Sequence, residues 1–168
     1  MKIIIVLKDL IKYLLSFLQT VYIFESKKNK KPIKYKNIYL KKFKSINEIE
    51  NKNLKNYLIK EEKNKRFRKN CYLLALFFKK DLVSMGWMNE GITWRIDEKN
   101  KKIDIKDKIL LFDFYTLEKF RNKGYYNKLL NLIKNLQKKK IFLIYSLKRN
   151  KASVKGILRS NFKLKRII

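Results

Sequence analysis

The chain contains no histidine and only one cysteine, Cys71, among its 168 residues. Without histidine, imidazole bases, Ser-His-Asp triads and histidine-ligated metal sites are excluded. A lone cysteine forms neither an internal disulfide nor a cysteine-bound zinc site, so we expect no bound metal and a reducing, cytoplasmic setting. Cys71 opens an apolar run, where a small buried side chain is the ordinary interpretation. Any chemistry must therefore rest on carboxylates, hydroxyls, backbone amides and a bound cofactor.

Acidic residues are also scarce, because 14 Asp and Glu stand against 44 Lys and Arg and the formal charge is +30. Such a charge favours nucleic-acid binding through the release of counterions. However, 37 of the 44 basic residues are lysine, and arginine is the residue preferred for bidentate phosphate and base contacts. The charge therefore leaves two ligand classes open, a nucleic acid and an anionic small molecule such as a coenzyme.

Long uncharged apolar runs are missing as well, which argues against a membrane-spanning helix. The strongest apolar stretch lies at the N-terminus, where Lys8, Lys12, Ser16 and Gln19 share one helical face and leucines share the other. This pattern is typical of an amphipathic helix. We therefore expect residues 3–18 to form a helix that packs on the domain, with contact to a membrane surface as the alternative.

The rest of the chain alternates between helical and strand periodicities without an internal repeat, which favours one domain over residues 1–168, with residues 1–24 as the N-terminal helix and its lead-in. Ser45 and Glu48 have capping-box spacing at the start of a helix predicted over residues 46–65. The other predicted helices are 124–138 and 151–160, and the predicted strands are 21–24, 38–40, 71–78, 82–88, 109–115, 141–145 and 162–168. This order indicates a three-layer α/β/α domain with a mixed, mostly antiparallel central sheet.

The most informative feature is a junction between a buried strand and a long amphipathic helix. Residues 109–115 are apolar except for Asp113, as expected of a central strand, and a short loop containing Arg121-x-x-Gly124 leads directly into the helix. Free N–H groups at a helix start, together with the helix dipole, bind phosphate. Glycine at position 124 allows the main chain to approach a phosphate closely. The junction predicts a phosphate-binding loop, with a simple turn as the alternative.

This junction and the sequence after it resemble the acyl-CoA-binding motifs of the GNAT acyltransferase superfamily. The first motif, (Gln/Arg)-x-x-Gly-x-(Gly/Ala), matches Arg121-x-x-Gly124-Tyr125-Tyr126, with tyrosine in the final small-residue position. The second motif, Asn-x-x-(Ala/Ser) followed by Gly-Phe, matches Asn150-x-x-Ser153 and Phe162. The resemblance implies a GNAT-like fold with its coenzyme motifs in residues 109–162.

The resemblance also implies an N-acyltransferase that moves an acetyl or other acyl group from acyl-CoA to a primary amine by direct attack. The cofactor would be acetyl-CoA, and the acceptor an amine-bearing small molecule, an amino sugar or a peptide. Backbone amides of the loop would hold the CoA pyrophosphate, and main-chain groups at the strand end would pair with the pantetheine arm. The residues implied to bind the cofactor are Phe114, Tyr115, Thr116, Arg121, Asn122, Lys123, Gly124, Tyr125, Tyr126, Asn150 and Ser153.

Two carboxylates are candidates for a catalytic base, Asp113 on the central strand and Glu90 after the preceding hairpin. Strand alternation places Asp113 on the face opposite to Phe112 and Phe114, where it either accepts a proton from the amine or serves as a structural acceptor. The tyrosine that often acts as general acid in the resembled family is Ile157 here. A basic nucleic-acid-binding module and an inactive GNAT-like protein stay open as alternatives. The aromatic residues that either shape an acceptor pocket or belong to the core are Trp87, Trp94 and Tyr115.

Overall fold

The computed structural model describes residues 19–27, 32–136 and 141–168, and the helix predicted over residues 3–18 lies outside them. The strands are β1 Val21–Ser26, β2 Ile38–Phe43, β3 Cys71–Phe78, β4 Asp81–Asn89, β5 Thr93–Ile96, β6 Lys101–Asp104, β7 Lys108–Thr116, β8 Ile141–Leu147 and β9 Lys163–Ile167. The α-helices are α1 Lys52–Lys60, α2 Tyr125–Ile133 and α3 Lys151–Arg159, and 3₁₀ turns span Ile46–Glu48, Lys63–Arg66, Asp97–Lys99 and Glu118–Phe120. None of the helices in these ranges combines the length and apolar character needed to cross a bilayer.

Seven strands form one mixed sheet in the order β2-β3-β4-β7-β8-β1-β9, and β5 and β6 form a separate hairpin. In the seven-stranded sheet β7 and β8 are parallel, and the other paired neighbours are antiparallel. Helix α2 lies in the connection from β7 to β8, since parallel strands require a crossover. The mixed α/β fold that the sequence indicated is confirmed.

Strand β1 completes the sheet next to the last strand of the chain. It pairs antiparallel with β8 from Val21 opposite Leu147 to Ser26 opposite Phe142, and it pairs with β9 on its other edge. Sequence periodicity identified this strand but not its position, because pairing between segments so far apart in the chain has no local signature.

Apolar side chains pack in two large clusters that use alternate residues of the same strands. On β3, Leu74 and Leu76 belong to a cluster that includes residues of α2 and α3. Leu73 and Ala75 of the same strand belong to a second cluster, which includes Leu54 and Leu58 of α1. The sheet therefore supplies buried apolar side chains to both clusters.

Helix α1 is shorter than the helix predicted over residues 46–65. Asn51 is the N-cap of α1, where its Oδ1 accepts a hydrogen bond from the Leu54 N–H at 2.9 Å. Ser45 makes no capping hydrogen bond, so the capping-box prediction was wrong. The helix ends before Glu62, whose φ of 51° is left-handed. Asn51 caps the helix in place of Ser45, because a helix that starts there places Leu54 in the core.

Candidate functional site

A β-bulge interrupts β7 at Asp113 and Phe114, which together stand opposite the single residue Gly86 of β4. Asp113 has φ 47°, a left-handed conformation that aspartate adopts more readily than most residues. The bulge places Phe112 and Phe114 in different apolar clusters. The prediction from simple alternation, that these two rings share one face, was therefore wrong.

Beyond the bulge, β7 and β8 separate and a cavity opens between them. Their parallel pairing runs from Lys108 opposite Ile141 to Leu111 opposite Ile144 and ends there. The last residues of β7 pair with β4 alone, and the last residues of β8 pair with β1. Backbone groups on the two facing edges are therefore left for a ligand or for water. The cavity has a volume of about 1370 Å³, larger than the roughly 300–1,000 Å³ of common ligand pockets.

The loop before α2 places free backbone amides at this cavity. Gly124 is the N-cap of α2 with φ 74°, and the first helical hydrogen bond runs from the Lys128 N–H to the Gly124 carbonyl at 3.1 Å. In the part of the chain that the structure describes, the amides of residues 122–127 donate no hydrogen bond to a backbone carbonyl. A Cβ placed on Gly124 would meet no heavy atom within 4 Å. This arrangement fits an anion, because free amides and the positive helix end meet open space.

Helix α3 forms the neighbouring wall of the cavity. Asn150 caps it, with its Oδ1 accepting a backbone N–H of the first turn at 3.1 Å. The Asn127 side chain of α2 donates a hydrogen bond to the Gly156 carbonyl of α3 at 2.7 Å and so connects the two helices. Lys155 and Arg159 also line the cavity. Their charge adds to the field that favours an anionic ligand near the loop.

The structure brings most of the predicted cofactor-binding residues to this one cavity. Lys123 is not among the lining residues, and Arg121 turns back toward the strand end, where its Nε donates to the Thr116 carbonyl at 3.2 Å. Arg121 therefore also fixes the loop to β7. The predicted residues that line the cavity are Phe114, Tyr115, Thr116, Arg121, Asn122, Gly124, Tyr125, Tyr126, Asn150 and Ser153.

Of the two candidate bases, Asp113 lines the cavity and Glu90 does not. The Asp113 carboxylate accepts a hydrogen bond from the Arg66 guanidinium and pairs with Lys63 Nζ at 3.0 Å. Burial alone would lower the pKa of Lys63, but the hydrogen bond and the charge of Asp113, together with Tyr57, raise it. Two cations thus bind this carboxylate. The role of Asp113 as a proton acceptor stays a prediction, and its ion pairs connect the bulge to the 3₁₀ turn after α1.

Replacing Asp113 with asparagine should lower the free energy of unfolding by about 1 kcal/mol, because Lys63 and Arg66 lose their shared anion in a partly exposed site. Urea unfolding measures the loss. The matched control is Glu62→Gln, which removes an exposed ion pair with Lys65 and should change stability by less than about 0.5 kcal/mol. Unchanged stability of Asp113→Asn would contradict the structural role and leave proton transfer as its use.

Among the tyrosines that line the cavity, Tyr126 on α2 and Tyr145 on β8 are partly buried. Burial raises the pKa of the Tyr126 hydroxyl well above its usual value, although a hydrogen bond with Ser153 opposes this. Burial also raises the pKa of Tyr145 to about 12, although an interaction with the Trp94 side chain opposes this, and the carboxylates of Glu98 and Asp97 act in the same direction as burial. Both hydroxyls therefore stay protonated at neutral pH and can donate hydrogen bonds into the cavity.

The raised pKa of Tyr145 makes stability depend on pH in the alkaline range. The unfolded chain releases this proton near pH 10, whereas the folded chain holds it up to about pH 12. Stability is therefore lost as pH rises from about 10 to 12. In urea unfolding, we expect the free energy of unfolding of Tyr145→Phe to fall by about 1–2 kcal/mol less than that of the wild type over this pH range. Tyr39→Phe, at an exposed site, should follow the wild type, and parallel curves for all three proteins would contradict the prediction.

The chain has few glycines, and their positions indicate the cavity in a way that motif matching did not use. Of the four glycines, Gly124 and Gly156 line the cavity and Gly86 lies behind its wall. A Cβ on Gly86 would lie 2.3 Å from the Phe114 ring, and one on Gly156 would lie 2.5 Å from the Tyr126 ring. Both glycines therefore make room for an aromatic side chain of the cavity. The cavity residues that sequence reasoning did not assign include Asn127, Tyr145, Lys155, Gly156, Arg68 and Glu98.

Comparison by sequence finds no match, neither to a family model nor to a curated protein. Solved structures, in contrast, share the fold. A conserved protein of unknown function from Staphylococcus epidermidis ATCC 12228 superposes with a TM-score of 0.59 and 10% identity, over 89% of this chain and 59% of that one. A protein assigned to the GNAT acetyltransferase family from Novosphingobium aromaticivorans DSM 12444 superposes with a TM-score of 0.57 and 8% identity, over 89% of this chain and 61% of that one. A GNAT-family acetyltransferase from Colwellia psychrerythraea superposes with a TM-score of 0.53 and 15% identity, over 89% of this chain and 54% of that one.

The chain therefore has a fold seen in GNAT-family acetyltransferases, as its motifs indicated. It spans only 54% to 61% of the length of these three solved structures. Identities of 8% to 15% establish a common fold, and activity does not follow from fold alone.

Proposed function

We propose that the protein is an acyl-CoA-dependent N-acyltransferase that moves an acetyl or related acyl group to a primary amine. The observation that carries the proposal is the cleft in which β7 and β8 separate and β7 leads into the glycine-started helix α2. The cleft offers unpaired backbone edges along its length and free amides beside cations at one end. Acetyl-CoA matches both features, because it joins a diphosphate to an arm that contains amide groups.

The chain's own residues would divide the binding between them. The amides of residues 122–126 would hold the pyrophosphate, with Lys155 and Arg159 contributing charge. Main-chain groups of residues 114–116 would bind the pantetheine arm, and the first turn of α3, residues 150–153, would border it. The open space beside Gly124 is part of the fit, because a side chain there would compete with the phosphates.

Bound acyl-CoA supplies a thioester whose acyl carbon is open to attack by an amine. In the transfer the amine nitrogen bonds to that carbon while the carbon–sulfur bond breaks. The acceptor ammonium loses two protons, one to a base and one to the departing thiolate. The protein's contribution is to position the amine and to stabilise the acyl oxygen with a backbone N–H at the end of β7. Neither contribution needs histidine, which this chain lacks.

The proposal includes a single domain with a three-layer arrangement. Residues of α2 and α3 share one apolar cluster and residues of α1 share the other. Since successive strand residues point to opposite faces of a sheet, this division favours helices on both faces.

Isothermal titration calorimetry of the full chain with acetyl-CoA tests the proposal. We expect a dissociation constant in the micromolar range, with ADP binding at least about tenfold more weakly because it lacks the arm. Binding should persist at high salt, whereas general attraction to the +30 charge would disappear there. Absence of binding at millimolar acetyl-CoA would contradict the proposed function.

A further inference from the structure

The cavity continues past the bulge, on the side away from the α2 loop along β7. Its lining there includes Arg68, Trp94, Glu98 and Tyr145, and we refer to these four residues as the hairpin end. The Trp94 ring packs against Phe112 with centroids 4.4 Å apart, and Trp94 and Tyr145 share an apolar cluster. The hairpin end is therefore continuous with the cleft in which acyl transfer is proposed.

Two polar atoms at the hairpin end lack a hydrogen bond of ordinary geometry. Trp94 Nε1 and Glu98 Oε2 are buried without one among the described residues, although the Trp94 N–H interacts with the side chain of Tyr145. Leaving such atoms unpaired is costly, so they usually meet water or a ligand. The indole N–H can only donate, and an ionised carboxylate oxygen can only accept. A ligand that satisfies both atoms must therefore present an acceptor and a donor.

Arg68 adds a cation to the same place. Its guanidinium carbon lies 5.9 Å from the centroid of the Trp94 ring. Among the ion pairs of the described residues, Arg66 pairs with Asp113 and Arg95 with Asp97, but no carboxylate pairs with Arg68. Arg68 is exposed and has no carboxylate partner there, and a guanidinium next to an indole N–H suits a carboxylate.

We propose that the hairpin end is the acceptor site and that the acceptor is a zwitterionic α-amino acid. This assignment rests on the proposed acyltransferase function. The acceptor ammonium would bond to Glu98 Oε2, and its carboxylate would bond to Arg68 and the Trp94 N–H. Because Glu98 contacts the ammonium, it is the carboxylate placed to take the first of the two protons that the ammonium loses.

Other amine classes fit the hairpin end less well. A polyamine has no anion for Arg68, and a neutral amino sugar would leave the guanidinium without a counter-charge. An α-amino acid presents both charges on adjacent atoms. Its two partners on the hairpin, Trp94 and Glu98, are close in the chain, on β5 and on the 3₁₀ turn that follows it.

The test compares each α-amino acid with its own α-amide as acceptor, using the full chain, acetyl-CoA and a thiol-release assay. An amide has the less basic amine, so without carboxylate recognition it would react faster. We expect at least one amino acid to exceed its amide about tenfold or more in kcat/KM. Arg68→Gln should remove this preference, and Glu98→Gln should lower kcat/KM for both acceptors about 100-fold. Lys36→Gln, which removes an exposed positive charge elsewhere, should behave as the wild type.

Calorimetry separates this proposal from the one on which it rests. If acetyl-CoA binds but amides react as well as amino acids, or Arg68→Gln keeps the preference, the acceptor assignment is overturned. If the wild type does not bind acetyl-CoA, the proposed function itself fails. Both variants should bind acetyl-CoA within about twofold of the wild type, because neither residue lies at the α2 loop.

Discussion

Replacing Gly124 with phenylalanine is expected to weaken acetyl-CoA binding at least about 100-fold. Gly124 starts α2 with φ 74° and borders open cavity space, so a large side chain would occupy the volume in front of the free amides. Loss of one or two charge-assisted hydrogen bonds, each contributing about 1.5–3 kcal/mol, accounts for this magnitude. Calorimetric titration measures it directly.

The matched variant is Gly124→Ala. Both substitutions place a side chain in the left-handed region and should each lower the free energy of unfolding by about 1–2 kcal/mol. Alanine meets no atom within 4 Å, so its binding loss should stay below about tenfold. If phenylalanine and alanine weaken binding equally, backbone strain is the cause and the phosphate loop is misplaced. Unchanged affinity in both variants would refute the loop assignment.

Replacing Gly86 with alanine is expected to be the most destabilising conservative change in the sheet. Its Cβ would lie 2.3 Å from the Phe114 ring, and Gly86 is the residue that faces the bulge of β7. Overpacking of this kind costs about 1–3 kcal/mol. The Phe114 ring can move away only if the bulge moves with it. Because residues 114–116 are proposed to bind the pantetheine arm, acetyl-CoA affinity should fall as well. Urea unfolding and calorimetry measure the two effects.

A double-mutant cycle identifies the contact responsible. Phe114→Ala removes the ring, so adding Gly86→Ala to it should cost at least about 1 kcal/mol less than adding it to the wild type. Gly91→Ala is the control and should be additive with Phe114→Ala, because its Cβ would meet Asn89 Oδ1 at 2.8 Å, the atom that accepts the Gly91 N–H, and not the Phe114 ring. Additive effects of the Gly86 and Phe114 substitutions would show that the bulge does not depend on this contact.

The loop proposed to bind phosphate could be located from sequence because its geometry is local. A buried strand, a basic residue and a glycine before an apolar helical stripe lie within a short stretch, and the free amides follow from the helix start itself. Helix limits were less predictable. Ser45 and Asn51 are both good N-caps, and contact of Leu54 with the core selected the second.

Sequence patterns located only part of the proposed acceptor side of the cavity. Trp94 was one of the residues named for an acceptor pocket, whereas Arg68 and Glu98 belong to no recognisable pattern. Asp113 was found, but Lys63 was assigned only to the helix predicted over residues 46–65 and Arg66 was given no role. A carboxylate on a central strand is visible in sequence, whereas its partners are set by packing.

Local sequence patterns were enough for the order of the three described helices and of the seven strands in the large sheet, for the glycine-started helix and, through the absence of histidine, for the kinds of groups available for chemistry, but they did not predict the hairpin of β5 and β6. Only the tertiary structure decided that β1 lies between β8 and β9, that β7 bulges opposite Gly86, and that the cleft extends to the hairpin end. The physical reason is the distance along the chain over which each kind of interaction acts. Periodicity, capping and glycine geometry act between residues close in the chain, while register, strand separation and cavity shape depend on contacts between distant segments.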